Sequence, residues 1–154
     1  MAEKGITSVL DEAGVEYELL PHAHTETAAA EAEALGVDPK DVAKTLVVST
    51  PAGYVRAVLP ASERVDMRKL RENVEGGKRI HLASEEDLRR DYPDFELGAV
   101  PPFGGGRDPV LLDARLAERE KVVLEAGSHD QSVRLRTADL LALTDADVAD
   151  LAQD

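Results

Sequence analysis

The segment that most restricts how this 154-residue chain can fold is 98–109, Gly-Ala-Val-Pro-Pro-Phe-Gly-Gly-Gly-Arg-Asp-Pro, with four glycines and three prolines. Proline removes a backbone donor, and glycine weakens both helices and strands because it loses the most conformational freedom when ordered. Neither a helix nor a central strand can form at that density, so we expect a shaped loop.

Apolar periodicity and capping residues predict the helices. Asp66 and Ser84 are suited to begin two of them as N-caps, whereas Gly14 and Gly36 follow two others as C-terminal stops. The helices are expected at 5–13, 25–35, 67–73 and 85–91, with a terminal helical segment capped by Thr137 and Thr144.

Short β-rich runs predict the strands. A turn at 50–53, with proline second and glycine fourth, joins two of these runs into a hairpin over 44–59. Strands are expected at 17–20, 45–49, 54–59, 80–82, 110–112, 121–126 and 132–136. The elements do not alternate as repeated βαβ units. We therefore expect one α+β domain, 1–154, whose mixed, largely antiparallel sheet curls into a partly closed barrel with flanking helices.

Composition excludes several classes of protein. The chain has no cysteine, which excludes disulfides, thiolate zinc sites, Fe–S clusters and a cysteine nucleophile. Its apolar runs are far shorter than the roughly 20 residues that span a bilayer. Because no basic region followed by an apolar one is apparent near the N-terminus, we expect a cytoplasmic protein without a membrane partner.

The net charge of −13 argues against nonspecific coating of nucleic acid. Residues 1–43 carry a net charge of −8 and residues 137–154 one of −5, whereas residues 44–136 are balanced. An anionic ligand is therefore expected at the central section.

Three features could carry chemistry, and each has a plainer interpretation. The Gly/Pro segment is either a surface connection or a site where a ligand approaches main-chain N–H groups. Lys44, at the start of a strand, is either a solvated charge or a group that neutralises a phosphate or an oxyanion. His129, at a predicted hairpin tip, is either part of a simple turn or a functional side chain.

Two further groups of polar residues do not indicate metal binding. His22, His24 and Glu26 alternate along the chain but lack a distant partner ligand. The aspartates 145, 147 and 150 lack the glycine and closing glutamate of a calcium loop. We expect neither a metal nor a cofactor.

Taken together, four stretches resemble the YbaK/ProX-type aminoacyl-tRNA deacylases, which are related to the editing domain inserted in bacterial prolyl-tRNA synthetases. The similar stretches are Val-Ala-Lys-Thr-Leu-Val-Val at 42–48, Gly-Ala-Val-Pro-Pro-Phe-Gly at 98–104, 110–113, and Gly-Ser-His at 127–129. Their order and spacing are more specific than any one of them.

The resemblance implies which residues form the site. The family lysine corresponds to Lys44, its Gly-x-x-x-Pro motif to Gly98 and Pro102, and its late histidine to His129; these form the expected catalytic set. A family histidine before the first long helix corresponds to either His22 or His24. Pro101 departs from the serine that many members carry, which predicts a change in pocket polarity. The expected substrate-binding residues are Thr45, Ala99, Val100, Pro101, Phe103, Gly104, Gly127, His22 and His24.

The resemblance also implies a function: hydrolysis of the ester between a wrong amino acid and the 3′-terminal adenosine of a tRNA. The expected partner is the acceptor end of the tRNA, held weakly with help from a synthetase or an elongation factor, by a monomer or weak homodimer. Two alternatives stay open. One is a non-catalytic module that binds a nucleotide or a protein partner, and the other is a hydrolase of small acyl esters.

Overall fold

The computed structural model describes residues 6–105 and 108–154. The α-helices run over Ile6–Glu12 (α1), Ala28–Leu35 (α2), Met67–Asn73 (α3), Glu85–Asp91 (α4), Ala114–Ala117 (α5) and Thr137–Thr144 (α6). The strands run over Tyr17–Pro21 (β1), Ala43–Thr50 (β2), Gly53–Pro60 (β3), His81–Leu82 (β4), Val110–Asp113 (β5), Lys121–Ser128 (β6), Gln131–Arg136 (β7) and Asp147–Ala149 (β8). Short 3-10 helices lie at Pro39–Asp41 and Gly77–Arg79.

The strands form two sheets. One has the order β1-β7-β6 and is antiparallel throughout. The other has the order β4-β2-β3-β5-β8, in which β5 runs parallel to both of its neighbours. A mixed α+β fold is thus confirmed. The predicted partly closed barrel is not confirmed, since Val42–Val123 is the one bridge that joins the two sheets within the described residues.

The β2–β3 hairpin agrees closely with its prediction. Its register pairs Lys44 with Leu59 and Thr50 with Gly53, so the predicted turn joins the two strands directly. β2 also pairs with β4 and contacts β6, which places it between the two sheets. Lys44, the second residue of β2, therefore stands near the junction of the sheets.

Most of the helix predictions are also confirmed, although the terminal caps are not. Ser84 and Asp87 form a complete capping box for α4. Gly36, with a φ of +67°, ends α2 in the left-handed conformation that glycine adopts without steric cost. The predicted threonine caps are wrong: Arg136 holds the N-cap position of α6, and Thr144 is its last residue.

An apolar cluster connects the two sheets and the helices beside them. It is built mainly from aliphatic side chains, as expected of a chain with only 3% aromatic residues. Its buried members include Leu10, Val58, Leu112, Val122, Leu124, Val133 and Leu140. Because the cluster includes residues of β3, β5, β6 and β7, it fixes both sheets relative to each other without a closed hydrogen-bonded barrel.

The cap of α3 gives a test of the local analysis. The Asp66 carboxylate accepts hydrogen bonds from the amides of Arg68 (2.9 Å) and Lys69 (3.2 Å). Replacing Asp66 with Ala should lower the free energy of unfolding by about 1 kcal/mol, because both helix amides lose their partner. Asp66→Asn retains an acceptor, so its free energy of unfolding should fall by at most a few tenths of a kcal/mol. Urea denaturation of the two variants measures the difference, and an unchanged stability of Asp66→Ala would show that the cap contributes nothing.

Candidate functional site

A cavity of about 290 Å³ lies between β2 and the first part of the Gly/Pro segment. It is lined by residues 43–47 of β2 and by residues 98–102. Residues 26–28 at the start of α2, together with Leu124 and Glu125 of β6, complete much of the wall. The fold therefore brings Lys44 and Thr45 to the same cavity as Gly98, Ala99, Val100, Pro101 and Pro102.

The other predicted site residues lie outside this cavity. Phe103 and Gly104 line a second, larger cavity of about 790 Å³, and Phe103 also belongs to the main apolar cluster. Gly127 packs under a ring, because a Cβ atom built on it would stand 2.9 Å from Cδ1 of Phe95. The structure therefore does not bring these three residues into the same cavity as Lys44. Their contact with the substrate stays a prediction.

Lys44 lines the cavity, but its ammonium is already engaged. Neighbouring side chains of a strand point to opposite faces, so Lys44 and Thr45 leave β2 in opposite directions. The ammonium donates a hydrogen bond to the main-chain carbonyl of Glu63. Burial lowers the pKa of Lys44, and the nearby charge of Arg64 lowers it further. A substrate oxygen would have to replace the Glu63 carbonyl as the partner of this ammonium.

Arg56 of β3 holds the Gly/Pro segment in place. Its side chain is 1% exposed, and its guanidinium donates to the carbonyls of Pro101 (2.9 Å) and Gly104 (2.7 Å). It also donates to the Asp108 carboxylate at 3.0 Å and lies 5.2 Å from the centre of the Tyr92 ring. Since three donors of one rigid group meet the loop at different points, the guanidinium fixes its path.

Tyr92, the C-cap residue of α4, completes this arrangement. Its hydroxyl donates to the same Asp108 carboxylate that Arg56 binds. Burial raises the pKa of Tyr92, and the hydrogen bond to Asp108 adds to the shift. The hydroxyl therefore remains protonated and serves as a donor.

His129 holds the start of the same segment. Its ring is buried, with Nε2 lying 2.6 Å from the Leu97 carbonyl and Nδ1 2.9 Å from Oε2 of Glu125. Its main-chain N–H donates to Glu96 at 2.6 Å. A carbonyl can only accept, so Nε2 must carry a proton. The position in the β6–β7 turn is confirmed, but the plain-turn interpretation is wrong.

Gly98 lies directly against this histidine. Its φ of +85° is in the left-handed region, and a Cβ atom built there would meet Cε1 of His129 at 3.6 Å. The His129 ring nitrogens are both occupied by protein groups. The His129 ring therefore supports the loop through Leu97, and its membership of the catalytic set stays a prediction.

His22 and His24 lie near His129 but form hydrogen bonds with other side chains. His22 contacts Ser132 Oγ at 2.9 Å, and Ser132 donates to the fully buried Glu31. His24 bonds Glu26 at 2.8 Å, and its ring meets that of His129 edge-on at 5.2 Å. Neither histidine lines the cavity. The lining of the cavity therefore does not distinguish His22 from His24 as the counterpart of the family histidine.

Burial shifts the acids of this region. The pKa of Glu31 is raised mainly by burial, against the hydrogen bond from Ser132. Burial, followed by the charge of Glu31, raises the pKa of Glu125 to about 7. For His129, burial opposes protonation, but the bonds to Leu97 and Glu125 raise its pKa overall.

Comparison with known proteins connects this geometry to a family. A sequence profile of the aminoacyl-tRNA editing domain matches residues 22–143. The chain belongs to the aminoacyl-tRNA editing domain family. The match includes β2, the Gly/Pro segment and the β6–β7 turn, and so covers every element that carries the site.

Individual relatives of this editing domain agree. The multifunctional Ser/Thr-tRNA deacylase ProXp-y of Escherichia coli strain K12 is 28% identical over 144 residues, which cover 90% of this chain and 85% of that protein. A protein of Enterococcus faecalis, EbsC, named as a candidate Cys-tRNA(Pro)/Cys-tRNA(Cys) deacylase, is 27% identical over 122 residues, or 78% of this chain and 73% of that one.

A solved structure supports the fold of the editing domain. The crystal structure of a candidate trans-editing enzyme for prolyl-tRNA synthetase superposes with a TM-score of 0.84 at 30% identity. The superposition covers 97% of this chain and 95% of that one.

Two further findings concern metal ions and membranes. Within residues 6–105 and 108–154, no three His, Asp or Glu side chains are grouped so that they could hold a metal ion. Among the described helices, none has both the length and the apolar character needed to cross a membrane.

Sequence reasoning missed three residues of the site: Arg56, Glu96 and Glu125. Arg56 and Glu125 each follow apolar residues in a predicted strand, and a charge in a buried strand needs a partner. That signal was present in the sequence, but it does not name the partner. The partners come from the Gly/Pro segment and from the β6–β7 turn, which only the folded chain brings together.

The Arg56 arrangement predicts a large loss of stability when it is removed. Arg56→Met keeps the aliphatic bulk but removes the guanidinium that donates to two loop carbonyls and to Asp108, which then keeps the Tyr92 hydroxyl as a donor but loses its cation. We expect the free energy of unfolding to fall by about 3 kcal/mol, the lower end for breaking a buried ion pair, because Asp108 is partly exposed.

Arg89→Met is the matched control for this variant. The Arg89 side chain is mostly exposed and pairs with Glu85 across one helical turn, so its removal should change stability by less than about 0.5 kcal/mol. Chemical denaturation of both variants measures the contrast. Similar losses would contradict the special role of Arg56.

Proposed function

We propose that this chain hydrolyses the ester bond between a mis-attached amino acid and the 3′-terminal adenosine of a tRNA. The observation that carries the proposal is the shared cavity of Lys44, Thr45 and residues 98–102. The named activities of the relatives, which are tRNA deacylation in each case, support the same reaction class. We also propose that the chain works as a single domain.

The chemistry needed for this reaction is modest. An aminoacyl ester is already activated, so orienting water and stabilising the tetrahedral oxyanion can be sufficient. The prolines at 101 and 102 have no N–H, and the N–H of Ala99 donates to the Glu96 carbonyl. We therefore assign the contact with the substrate oxygen to the main-chain amides of Gly98 and Val100. The vicinal ribose hydroxyl can help to orient the water.

We assign to Lys44 the role of binding a negatively charged oxygen of the substrate. When the acceptor end binds, a phosphate or the ester oxygen takes the place of the Glu63 carbonyl as the partner of the Lys44 ammonium. The partial burial of Lys44 strengthens such a contact, because a charge is less screened at a partly buried site.

The size of the cavity suits an amino acid better than a nucleotide. Its volume of about 290 Å³ is at the lower end of the roughly 300–1,000 Å³ typical of ligand pockets. Editing is needed where a synthetase gains only about 1–3 kcal/mol per methylene and small amino acids are attached wrongly. We therefore place the amino-acid side chain in the cavity and the adenosine at its mouth.

The charge distribution limits how the tRNA is held. The site comes mainly from the charge-balanced residues 44–136, whereas the acidic residues 1–43 and 137–154 repel a polyanion. We propose that the chain contacts only the acceptor end and binds it weakly. A synthetase or an elongation factor would supply further affinity, and the chain would act as a monomer or weak homodimer.

A deacylation assay tests the proposed function. Alanyl-, cysteinyl-, seryl- and prolyl-tRNA are incubated with the protein, and release of the amino acid is followed. At least one ester should be cleaved faster than it hydrolyses alone. Binding without turnover would favour a non-catalytic module, and cleavage of small esters alone would favour a general esterase.

Lys44→Ala tests the assigned charge in the same assay. We expect kcat/KM to fall about 10-fold or more, the equivalent of one charge-assisted hydrogen bond of roughly 1.5–3 kcal/mol. Lys78→Ala, which removes an exposed lysine from a 3-10 helix, should leave the rate unchanged. Unchanged turnover by Lys44→Ala would remove this lysine from the mechanism.

A further inference from the structure

One carboxylate of the site both lines the cavity and is bonded to a histidine behind it. Glu125 is a wall residue of the 290 Å³ cavity, which it shares with Gly98 and Lys44. Its Oε2 lies 2.9 Å from Nδ1 of His129, and both side chains are almost fully buried. The arrangement connects the cavity to an imidazole that does not line it.

The hydrogen bonds fix how many protons this pair can hold. Nε2 of His129 must carry its proton because it faces the Leu97 carbonyl. A single proton then lies between Nδ1 and Oε2, on one atom or the other. Without that proton, a nitrogen lone pair would face a carboxylate. The pair is therefore stable with one shared proton, and Glu125 can exist as a carboxylate beside an imidazolium.

The groups around the pair are mostly acidic. Glu31 of α2 acts on Glu125 through its charge, and Glu96 bonds the main-chain N–H of His129. Glu26 reaches within 3.9 Å of His129 Nε2, and His24 packs against the same ring. Lys44 of β2 lines the same cavity. This excess of negative charge favours the protonated imidazole and makes Glu125 harder to ionise.

Direction and cause of the pKa shifts agree with this picture. Burial raises the pKa of Glu125 to about 7, and the charge of Glu31 adds to the shift, whereas His129 lowers it. The bonds to Leu97 and Glu125 raise the pKa of His129 against the effect of burial. A group that titrates near neutral pH can both accept and return a proton during turnover.

We propose that Glu125 is the general base of the deacylation, which rests on the proposed function. The Glu125 carboxylate takes a proton from water as the water oxygen bonds to the ester carbonyl carbon. The main-chain amides of Gly98 and Val100 stabilise the resulting oxyanion. When the bond between the carbonyl carbon and the ribose oxygen breaks, Glu125 returns the proton to that oxygen. The products are the free amino acid and the tRNA with its hydroxyl restored.

His129 is the positioning residue in this scheme. Through Nδ1 it orients and stabilises the Glu125 carboxylate, and through Nε2 it holds Leu97, next to Gly98. One imidazole thus sets both the base and the start of the loop that carries the oxyanion donors.

Glu125→Gln tests the base with little change of shape. The Gln amide can still bond Nδ1 of His129, but it cannot accept a proton. On the best of the four aminoacyl-tRNAs, we expect kcat to fall about 100-fold or more, with KM nearly unchanged. In the wild type, kcat/KM should rise with pH through about 7 as Glu125 ionises. This rise should be absent in the variant, after spontaneous hydrolysis has been subtracted.

Two further variants complete the experiment. Glu33→Gln removes one exposed carboxylate from α2 and should keep both the rate and the pH profile of the wild type. His129→Gln removes the cation that lowers the pKa of Glu125, so the midpoint of the pH profile should move to higher pH. A residue that only supports the fold would lower the rate at every pH without moving that midpoint.

The outcomes are distinguishable. If the wild type cleaves none of the four esters, the proposed function fails and this inference fails with it. If the wild type is active but Glu125→Gln keeps its kcat and its pH-dependent rise, only the inference is overturned. It is also overturned if His129→Gln loses activity with an unmoved midpoint.

Discussion

The buried guanidinium of Arg56 holds the Gly/Pro segment, whose own backbone hydrogen bonds cannot define its path. Residues 98–105 contain prolines without N–H groups and glycines with wide conformational freedom, so regular hydrogen bonding cannot define their path. Arg56 replaces that regularity with bonds to Pro101, Gly104 and Asp108. Burying this charge is costly unless its donors are satisfied, and the loop carbonyls and carboxylate satisfy them. The cation and the loop therefore depend on each other.

His129 provides the second anchor, at the opposite end of the cavity-lining residues. Its bond to the Leu97 carbonyl holds the chain just before Gly98, whereas Arg56 holds it at Pro101 and beyond. The three residues between these anchors line the cavity. Main-chain donors that are held in place before the substrate arrives need little reorganisation during the reaction, which is the property that an oxyanion site requires. In this account, two buried polar side chains prepare the site, and neither has to touch the substrate.

The sequence predicts what is local and misses what is assembled over distance. The β2–β3 hairpin and the Ser84 capping box depend on residues a few positions apart, and both are found in the fold. β8 was missed because its three residues include Asp147 and pair with β5, more than thirty residues earlier. Lys44 and Gly98 were placed together through the family resemblance. Arg56 and Glu125 were not, because their roles depend on partners that no short pattern encodes.

The most direct test of this account is the binding site of an aminoacyl-adenosine analogue whose ester is replaced by a stable amide. Titration of this compound into isotopically labelled protein, followed by NMR, reports which backbone amides sense it. We expect the largest shifts at Thr45, Gly98, Ala99, Val100 and Glu125, which line the smaller cavity. Shifts centred instead on Phe103, Gly104 and Leu143, around the larger cavity, would contradict the account.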